Sequence, residues 1–229
     1  MMACLPCCVS WYFIRYYILI NGAKMYDARE KRVLFSAELP NDLAQSLFEN
    51  AEAISCLYDC YLHDEGLMSR GLYDALDDIV PDRVYLNYMK SIRKPVENLN
   101  ELVRKDGGDV QKVQYFFRDL QERKHQLETL ADRYPGIKAT SSLSMNIEIN
   151  AANASKGPAL AALCRHLGFT AANAMAFGDN TNDLDMIQTA GWGIAMKNSD
   201  ETLLSAAGIV TEYDNNAGGV GRMIMEYLK

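Results

Sequence analysis

The chain has 229 residues, of which 49% are hydrophobic and 23% charged, a composition typical of one large globular domain or two small ones. Its formal net charge of −7 argues against a nucleic-acid-binding surface, because such surfaces are basic. Six cysteines are too sparse for a disulfide-stapled secreted scaffold, so we expect reduced thiols and a cytoplasmic protein.

An apolar run opens the chain, and residues 4–20 read CLPCCVSWYFIRYYILI. Arg15 lies inside this run, where a charge is costly for a membrane-spanning helix, and the basic and small residues of a signal peptide are not in their usual places. The aromatic and β-branched residues 11–20 favour a buried strand instead. A membrane segment is kept as an alternative, and so is a zinc-binding knot built from Cys4, Cys7 and Cys8.

Alternating and helical patterns predict a mixture of strands and helices as far as residue 150. Asn21-Gly22 predicts a tight turn after the first strand, and residues 63–66 are expected to form a loop. The predicted strands are, in chain order, 32–39, 56–62, 110–117 and one within 139–149. The predicted helices are 41–54, 71–79 and 119–134.

The last third of the chain alternates short apolar strands with helices. Ser155 can cap a first helix, which Gly168 ends. The strands predicted after it are 174–177, 193–196 and 208–211, and the helices are 182–189, 199–207 and 219–228. Short buried strands that alternate with helices indicate a parallel sheet covered by helices. The predicted fold class is therefore α/β.

A loop rich in Asp and Asn follows the strand predicted at 174–177. Asp179, Asn182 and Asp183 offer the carboxylate and amide oxygens that Mg²⁺ prefers, at the strand end where parallel sheets bind ligands. One such residue would suffice to cap the next helix, yet residues 179–185 contain three Asp and two Asn. This abundance favours a metal site over a capping role. Asp185 is expected to lie on the exposed surface of the helix.

Lys156 falls in the first turn of the helix that Ser155 begins. A cation is mildly unfavourable there, beside the positive end of the helix dipole. It is either a solvated surface lysine or a fixed ammonium that binds a phosphoryl oxygen and the carboxylates around it. The residues next to it in the sequence leave both interpretations open.

Several short segments carry a family resemblance. They are, in order, Asn21-Gly22-Ala23, Asn146-Ile147-Glu148-Ile149, Ser155-Lys156-Gly157, Gly178-Asp179-Asn180-Thr181-Asn182-Asp183 and Asn215-Asn216-Ala217-Gly218-Gly219-Val220. With them the chain resembles the Cof-type hydrolases of the haloacid-dehalogenase superfamily, which are phosphatases with a large α/β cap inserted in a Rossmann-like core. The resemblance extends from about residue 17 to the C-terminus.

The resemblance implies Mg²⁺-dependent hydrolysis of small phosphorylated metabolites, typically sugar phosphates, through an aspartyl-phosphate. It implies that Lys156 binds the phosphate and the nucleophile, and that Asp179 binds Mg²⁺. Asn182 and Asp183 would complete the metal site, with Asn182 and Asn21 also on the substrate side. The implied domains are a core remnant at 1–27, an α/β cap at 28–150 that selects the substrate, and the C-terminal part of the core at 151–229.

The chain departs from the family's pattern near its start. The family carries its nucleophile and general acid in Asp-x-Asp-Gly-Thr on the first strand, whereas the first acidic residue here is Asp27 and the only Asp-x-Asp is Asp183-Leu184-Asp185. We therefore expect a truncated reading frame, impaired turnover, and self-association through the exposed edges of a partial Rossmann-like core. The alternative is a non-catalytic protein that binds a phosphorylated metabolite. Neither a nucleic acid nor a membrane is expected as a partner.

Overall fold

The computed structural model describes residues 14–80 and 82–227. The predictions for residues 1–13, including the zinc alternative at the first three cysteines, lie outside the described residues. The described chain divides into two compact units, the first comprising residues 14–15, 28–30 and 36–152 and the second residues 16–27, 31–35 and 153–227. None of the described helices is long and apolar enough to cross a membrane.

A three-stranded sheet comes first in the chain, in the order β1 (Tyr16–Leu19), β2 (Lys24–Asp27) and β3 (Arg32–Ser36). β1 and β2 form an antiparallel hairpin. β1 confirms the end of the strand predicted in the apolar run, but its residues are half-buried where a buried strand was predicted. β3 confirms the strand predicted at 32–39 but ends earlier, because Leu39 pairs in an isolated bridge with Val110.

The first unit is built on a six-stranded sheet. Its strands are β4 (Leu57–Leu62), β5 (Glu65–Ser69), β6 (Arg93–Val96), β7 (Lys112–Phe116), β8 (Ile137–Thr140) and β9 (Asn146–Ala151), in the spatial order β6-β5-β4-β7-β9-β8. β5 and β6 are parallel, and the other neighbours are antiparallel.

Two predictions for this sheet need correction. The strand predicted within 139–149 is two strands, β8 and β9, separated by a short connection. The loop predicted at 63–66 is a tight turn at His63-Asp64, so Glu65 and Gly66 already belong to β5. Both turn residues have positive φ, 50° and 64°, which is the backbone conformation that a two-residue hairpin turn requires.

Five helices belong to this unit: α1 (Asn41–Ala53), α2 (Arg70–Ile79), α3 (Arg83–Ile92), α4 (Leu99–Asp106) and α5 (Leu120–Arg133). α1, α2 and α5 confirm the predicted helices, whereas α3 and α4 were not predicted. Each of these two begins at a side chain that caps it. Asp82 accepts from the N–H groups of Val84 and Tyr85, and Asn98 accepts from that of Glu101.

Apolar side chains of α2 and α3 pack on one face of the six-stranded sheet. The fully or nearly buried members of this cluster are Met68, Leu72, Leu76, Val80, Leu86, Met89 and Phe116. Full burial of such a side chain contributes about 1.5–3 kcal/mol to folding. On α1, Phe48 stacks against Tyr58 of β4 with ring centroids 5.1 Å apart. Leu57, the residue before Tyr58 in β4, packs against the cluster of α2 and α3. Successive side chains of a strand point to opposite faces, so α1 lies on the other face of the sheet.

A charged cluster lies on the same face of the sheet as Met68. Arg93 Nε donates to Asp59 Oδ2 at 2.8 Å, and Arg93 Nη2 donates to Gln114 Oε1 at 2.9 Å. Asp59 is fully buried. Burial raises the pKa of the Asp59 carboxyl above its ordinary value, and the charge of Arg93 opposes part of that rise. The Arg93 guanidinium is therefore the largest favourable interaction that offsets the desolvation of the Asp59 carboxyl group.

The second unit contains a parallel sheet with helices. Its strands are β10 (Met175–Gly178), β11 (Trp192–Ala195) and β12 (Ile209–Val210), in that order. Its helices are α6 (Lys156–His166), α7 (Leu184–Thr189), α8 (Glu201–Ala206) and α9 (Gly219–Tyr227). These elements confirm the strands and helices predicted after Ser155. The α/β fold class with a parallel sheet is confirmed as well.

Candidate active site

The carboxyl end of β10 runs into a tight loop that carries most of the predicted site. A Cβ at Gly178 would lie 2.4 Å from the Cβ of Asp183, so the loop can fold back this closely only with glycine there. The chain then forms a short 3-10 turn, Thr181–Asp183, before α7 begins. From the segment before α8, the Asp200 N–H donates to the Asp179 carbonyl at 3.2 Å and secures the loop.

Asp183 is buried at the centre of this loop, with 6% of its surface exposed. Its Oδ2 accepts the backbone N–H groups of Asp179 at 3.0 Å and of Asn180 at 3.2 Å. Its Oδ1 lies 2.5 Å from Lys156 Nζ. Both carboxylate oxygens are therefore engaged, and the residue ties the loop to helix α6.

Lys156 is the first residue of α6, and a quarter of its side chain is exposed. The contact with Asp183 compensates for the unfavourable position of a cation at the helix N-terminus. The structure argues against a freely solvated lysine, because the ammonium is held against a buried carboxylate, and the binding of a phosphoryl oxygen stays a prediction. An ammonium carries three N–H donors, so donors are left for a bound oxyanion.

The prediction that Asp185 lies on an exposed helix surface is wrong. Asp185 is half-buried, and its carboxylate accepts hydrogen bonds from the Ser155 hydroxyl and from the Gly157 N–H, the latter at 3.2 Å. Ser155 occupies the N-cap position of α6 as predicted, but its side chain makes no capping bond to its own helix. The periodicity of one helix does not show that a second helix, here α6, lies against it.

Asn21 reaches the loop from the turn between β1 and β2. Ile20, Asn21 and Gly22 all have positive φ, 52°, 55° and 92°, a conformation that is rare for a β-branched residue such as isoleucine. Asn21 Oδ1 lies 3.5 Å from Asn182 Nδ2. A Cβ at Gly22 would lie 2.3 Å from the Ser155 carbonyl oxygen, so the turn packs directly against the start of α6.

A cavity of about 400 Å³ opens beside these residues. Its lining includes Lys156, Asp179, Asp183, Met196, Asn215 and Gly218. Asp179 is half-buried, and within the described residues its carboxylate has no hydrogen-bond or ion-pair partner. Asn215 and Gly218 were not among the predicted site residues. They belong to a segment that carries the family resemblance, but only the fold brings that segment to the cavity.

The side chains around the cavity fit part of a Mg²⁺ site. The described part of the chain contains no group of three or more His, Cys, Asp or Glu side chains that could hold a metal ion. The carboxylate of Asp179 is available, and Asn182 stands in the same loop, whereas Asp183 is engaged by Lys156. Mg²⁺ is often bound through one or two carboxylates together with water and substrate phosphate. The residues therefore fit a Mg²⁺ site to which the protein contributes one carboxylate, that of Asp179.

The family model of the haloacid dehalogenase-like hydrolases matches residues 8–224 of this chain. The chain belongs to this family. A solved structure of a haloacid dehalogenase-like hydrolase from B. subtilis is 26% identical and superimposes with a TM-score of 0.76, covering 92% of this chain and 78% of that one. The family resemblance that the sequence segments carry is thereby confirmed.

Two relatives of known name are phosphatases. The 5-amino-6-(5-phospho-D-ribitylamino)uracil phosphatase YcsE of Bacillus subtilis is 39% identical over 92 residues, which are 40% of this chain and 36% of that protein. The pyridoxal phosphate phosphatase YbhA of Escherichia coli is 26% identical over 220 residues, 92% of this chain and 76% of that protein. The chain thus spans about a third of the first relative and about three quarters of the second.

Proposed function

We propose that this haloacid dehalogenase-like protein acts on small phosphorylated metabolites at the cavity beside Lys156, Asp179 and Asp183. The observation that carries the proposal is the Lys156 ammonium, held 2.5 Å from the buried Asp183 carboxylate in the cavity that Asp179 also lines. Family membership supports a phosphatase, and the two named relatives are phosphatases of different phosphorylated compounds. Sugar phosphates and related polyol phosphates are the substrate class that we propose, because the name of YcsE specifies a phosphorylated ribityl compound.

In this proposal Lys156 binds a phosphoryl oxygen of the substrate. Asp183 keeps the ammonium at one place, so little reorganisation is needed when the anion arrives. A preorganised cation of this kind stabilises the charge that phosphoryl transfer develops on the non-bridging oxygens. The assignment of Asp183 as a direct metal ligand stays a prediction, and we propose that its main role is to hold Lys156.

We propose that Asp179 holds Mg²⁺, with the amide oxygen of Asn182 as a second donor. A bound Mg²⁺ would supply Lewis-acid stabilisation of the phosphoryl oxygens. Asn21 would orient Asn182 through the contact between their amide groups. The side of the cavity that faces the substrate would then contain one fixed cation, Lys156, and one carboxylate, Asp179.

Hydrolysis through an aspartyl-phosphate also needs a nucleophilic aspartate, and the 229 residues contain no Asp-x-Asp-Gly-Thr. We propose that turnover by this chain is impaired for that reason while phosphate binding is retained. Loss of a nucleophile removes most of an enzyme's rate, but the binding groups continue to act.

The test is Mg²⁺-dependent hydrolysis of a generic aryl phosphate and of a panel of sugar phosphates by the purified full chain. Asp179→Asn is the informative variant, and Glu226→Gln at an exposed position of α9 in the same unit is the matched control. Slow hydrolysis that requires Mg²⁺ and is lost only in Asp179→Asn supports a phosphatase. Phosphate binding without turnover supports the non-catalytic alternative. Hydrolysis that is equal in both variants and independent of Mg²⁺ contradicts the proposal.

A further inference from the structure

Two aspartates of the same segment, Asp183 and Asp185, contact the side chain of Lys156 and the residues next to it in the chain, respectively. Asp183 holds the ammonium at 2.5 Å. Asp185 binds the two residues next to Lys156, since its carboxylate accepts from the side-chain hydroxyl of Ser155 and from the backbone N–H of Gly157. The residue before Lys156 and the residue after it are thus bound to one carboxylate group on α7.

The contact between α6 and α7 at this point is close enough to exclude a side chain. A Cβ at Gly157 would lie 2.5 Å from the Asp185 carbonyl oxygen and 2.6 Å from Thr189 Oγ1. Thr189 Oγ1 in turn donates to the Asp185 carbonyl at 2.6 Å. Both the backbone and the carboxylate of Asp185 are therefore fixed where they meet the first turn of α6.

The first turn of α6 has no acidic residue and no side-chain cap of its own. It begins with a lysine, although the free N–H groups and the dipole of a helix N-terminus favour a negative charge. Asp185 supplies that charge and one of the missing acceptors from the neighbouring helix. Without it, the turn that carries Lys156 would lose this acceptor and one of two nearby negative charges, the other being that of Asp183.

We propose that Asp185 is a positioning residue for Lys156. It does not line the described part of the cavity, so it acts on the ligand only through the lysine. By fixing the first turn of α6, it keeps the Lys156 side chain directed at Asp183 and at the cavity. What Lys156 binds there rests on the proposed function.

The test measures how fast a small acylating reagent modifies Lys156 in the full chain, by peptide mass spectrometry normalised to Lys94 of β6 and Lys105 of α4, which lie outside both mutated helices. The variants are Asp185→Ala and Asp185→Asn. The matched control is Asp119→Ala, which removes the cap of α5 in the other unit, where Asp119 accepts from Gln121 N–H at 2.8 Å. Both alanine variants lose one helix cap, so they should lose similar melting stability.

We expect Asp185→Ala to raise the acylation rate of Lys156 about fivefold. The loss of a helix cap typically changes the equilibrium between the ordered and the open helix end by about that factor. Asp185→Asn keeps one acceptor oxygen and should give a smaller rise. Asp119→Ala should leave the Lys156 rate unchanged. A Lys156 rate that stays at the wild-type value in folded Asp185→Ala would overturn the proposal. If that variant does not fold, Asp185→Asn decides, with a rise supporting the proposal and an unchanged rate overturning it.

Binding of inorganic phosphate, measured in parallel by calorimetry, separates this inference from the proposed function. If the wild-type chain does not bind phosphate, the proposed function fails, and the acylation rates still decide whether Asp185 positions Lys156. If the wild-type chain binds phosphate, Asp185→Ala should weaken the affinity and Asp185→Asn should restore part of it. Phosphate affinity that is identical in wild type and Asp185→Ala would overturn the positioning role.

Discussion

Replacing Asp183 with alanine should destabilise the second unit strongly. The change removes the contact with Lys156 at 2.5 Å and the acceptor of two backbone N–H groups, those of Asp179 at 3.0 Å and Asn180 at 3.2 Å. Hydrogen bonds to a charged group contribute about 1.5–3 kcal/mol each. Breaking a buried ion pair costs about 3–5 kcal/mol, but solvent screens part of this because a quarter of the lysine side chain is exposed. We expect a total loss of about 3–5 kcal/mol, since these contributions overlap.

The assay is urea unfolding followed by tryptophan fluorescence. Trp192 lies on β11 of the same unit, with its ring centroid 4.6 Å from that of Tyr227, so its emission should report the unfolding of this unit. Trp11→Phe removes the other tryptophan of the chain and leaves a single signal. Asp183→Asn retains one acceptor oxygen and should lose about half as much stability as Asp183→Ala.

Asp214→Ala is the matched control for this prediction. It removes one exposed bond, in which the Ala217 N–H donates to Asp214 Oδ1 at 2.7 Å, and should cost about 1 kcal/mol or less. If Asp183→Ala costs no more than Asp214→Ala, then Asp183 does not organise the loop, and the reasoning from its three contacts is refuted.

Three further predictions concern buried groups and a strained turn. Arg93→Met should cost about 3–5 kcal/mol at neutral pH, because Asp59 is left buried without its partner. Burial holds the pKa of Asp59 in the folded state above its value in the unfolded state. The free energy of unfolding lost in Arg93→Met should therefore shrink as the pH falls below that raised pKa and Asp59 becomes protonated. Chemical denaturation at several pH values measures this change. Burial raises the pKa of the Cys56 thiol to about 12, so peptide-resolved alkylation near pH 8.5 should modify Cys56 only after unfolding. Gly22→Ala should lower the free energy of unfolding by more than about 1 kcal/mol, because its φ is 92° and a Cβ would meet the backbone of α6.

Each of these predictions has a comparison that can contradict it. Arg70→Met breaks an exposed ion pair with Glu97 and should lower the free energy of unfolding by about 0–1 kcal/mol. A decrease in Arg93→Met that is no larger than this would contradict the first of these predictions. Gly107→Ala has a similar φ of 75° but open space around the Cβ. If it costs as much as Gly22→Ala, the contact with α6 adds nothing. Rapid alkylation of Cys56 in the folded chain would show that the thiol is accessible and ionised.

The local patterns after Ser155 were sufficient to predict the strands and helices of that part of the second unit, whereas β2 of the same unit was not predicted. Around β10, a short apolar strand is followed by an Asp- and Asn-rich loop and a helix, and all three are present. In the first unit, β5 and β6 escaped prediction because Gly66 and Pro95 weaken the strand pattern. Pro95 is tolerated because β6 is an edge strand of the sheet.

From the residue types and spacing alone, the candidate site was predictable only where its members are neighbours in the chain, whereas Lys156 and Asn21 were predicted through the family resemblance. Asp179, Asn182 and Asp183 stand in one loop, so their residue types and spacing are sufficient to indicate a charged site. That Asp183 pairs with Lys156, 27 residues earlier, depends on how α6 packs beside the loop. The role of Asp185 was missed for the same reason, because its partners Ser155 and Gly157 are 30 and 28 residues away.

The most direct test of the central claim is the binding of inorganic phosphate to the full chain in the presence of Mg²⁺, measured by calorimetry. Lys156→Met removes the fixed ammonium, and Lys124→Met on an exposed position of α5 is the matched control. Loss of a charge-assisted contact should weaken phosphate binding about 10- to 100-fold in Lys156→Met, with no change in Lys124→Met. Equal phosphate affinity in the two variants would contradict the claim that Lys156 and the loop around Asp183 form a phosphate site.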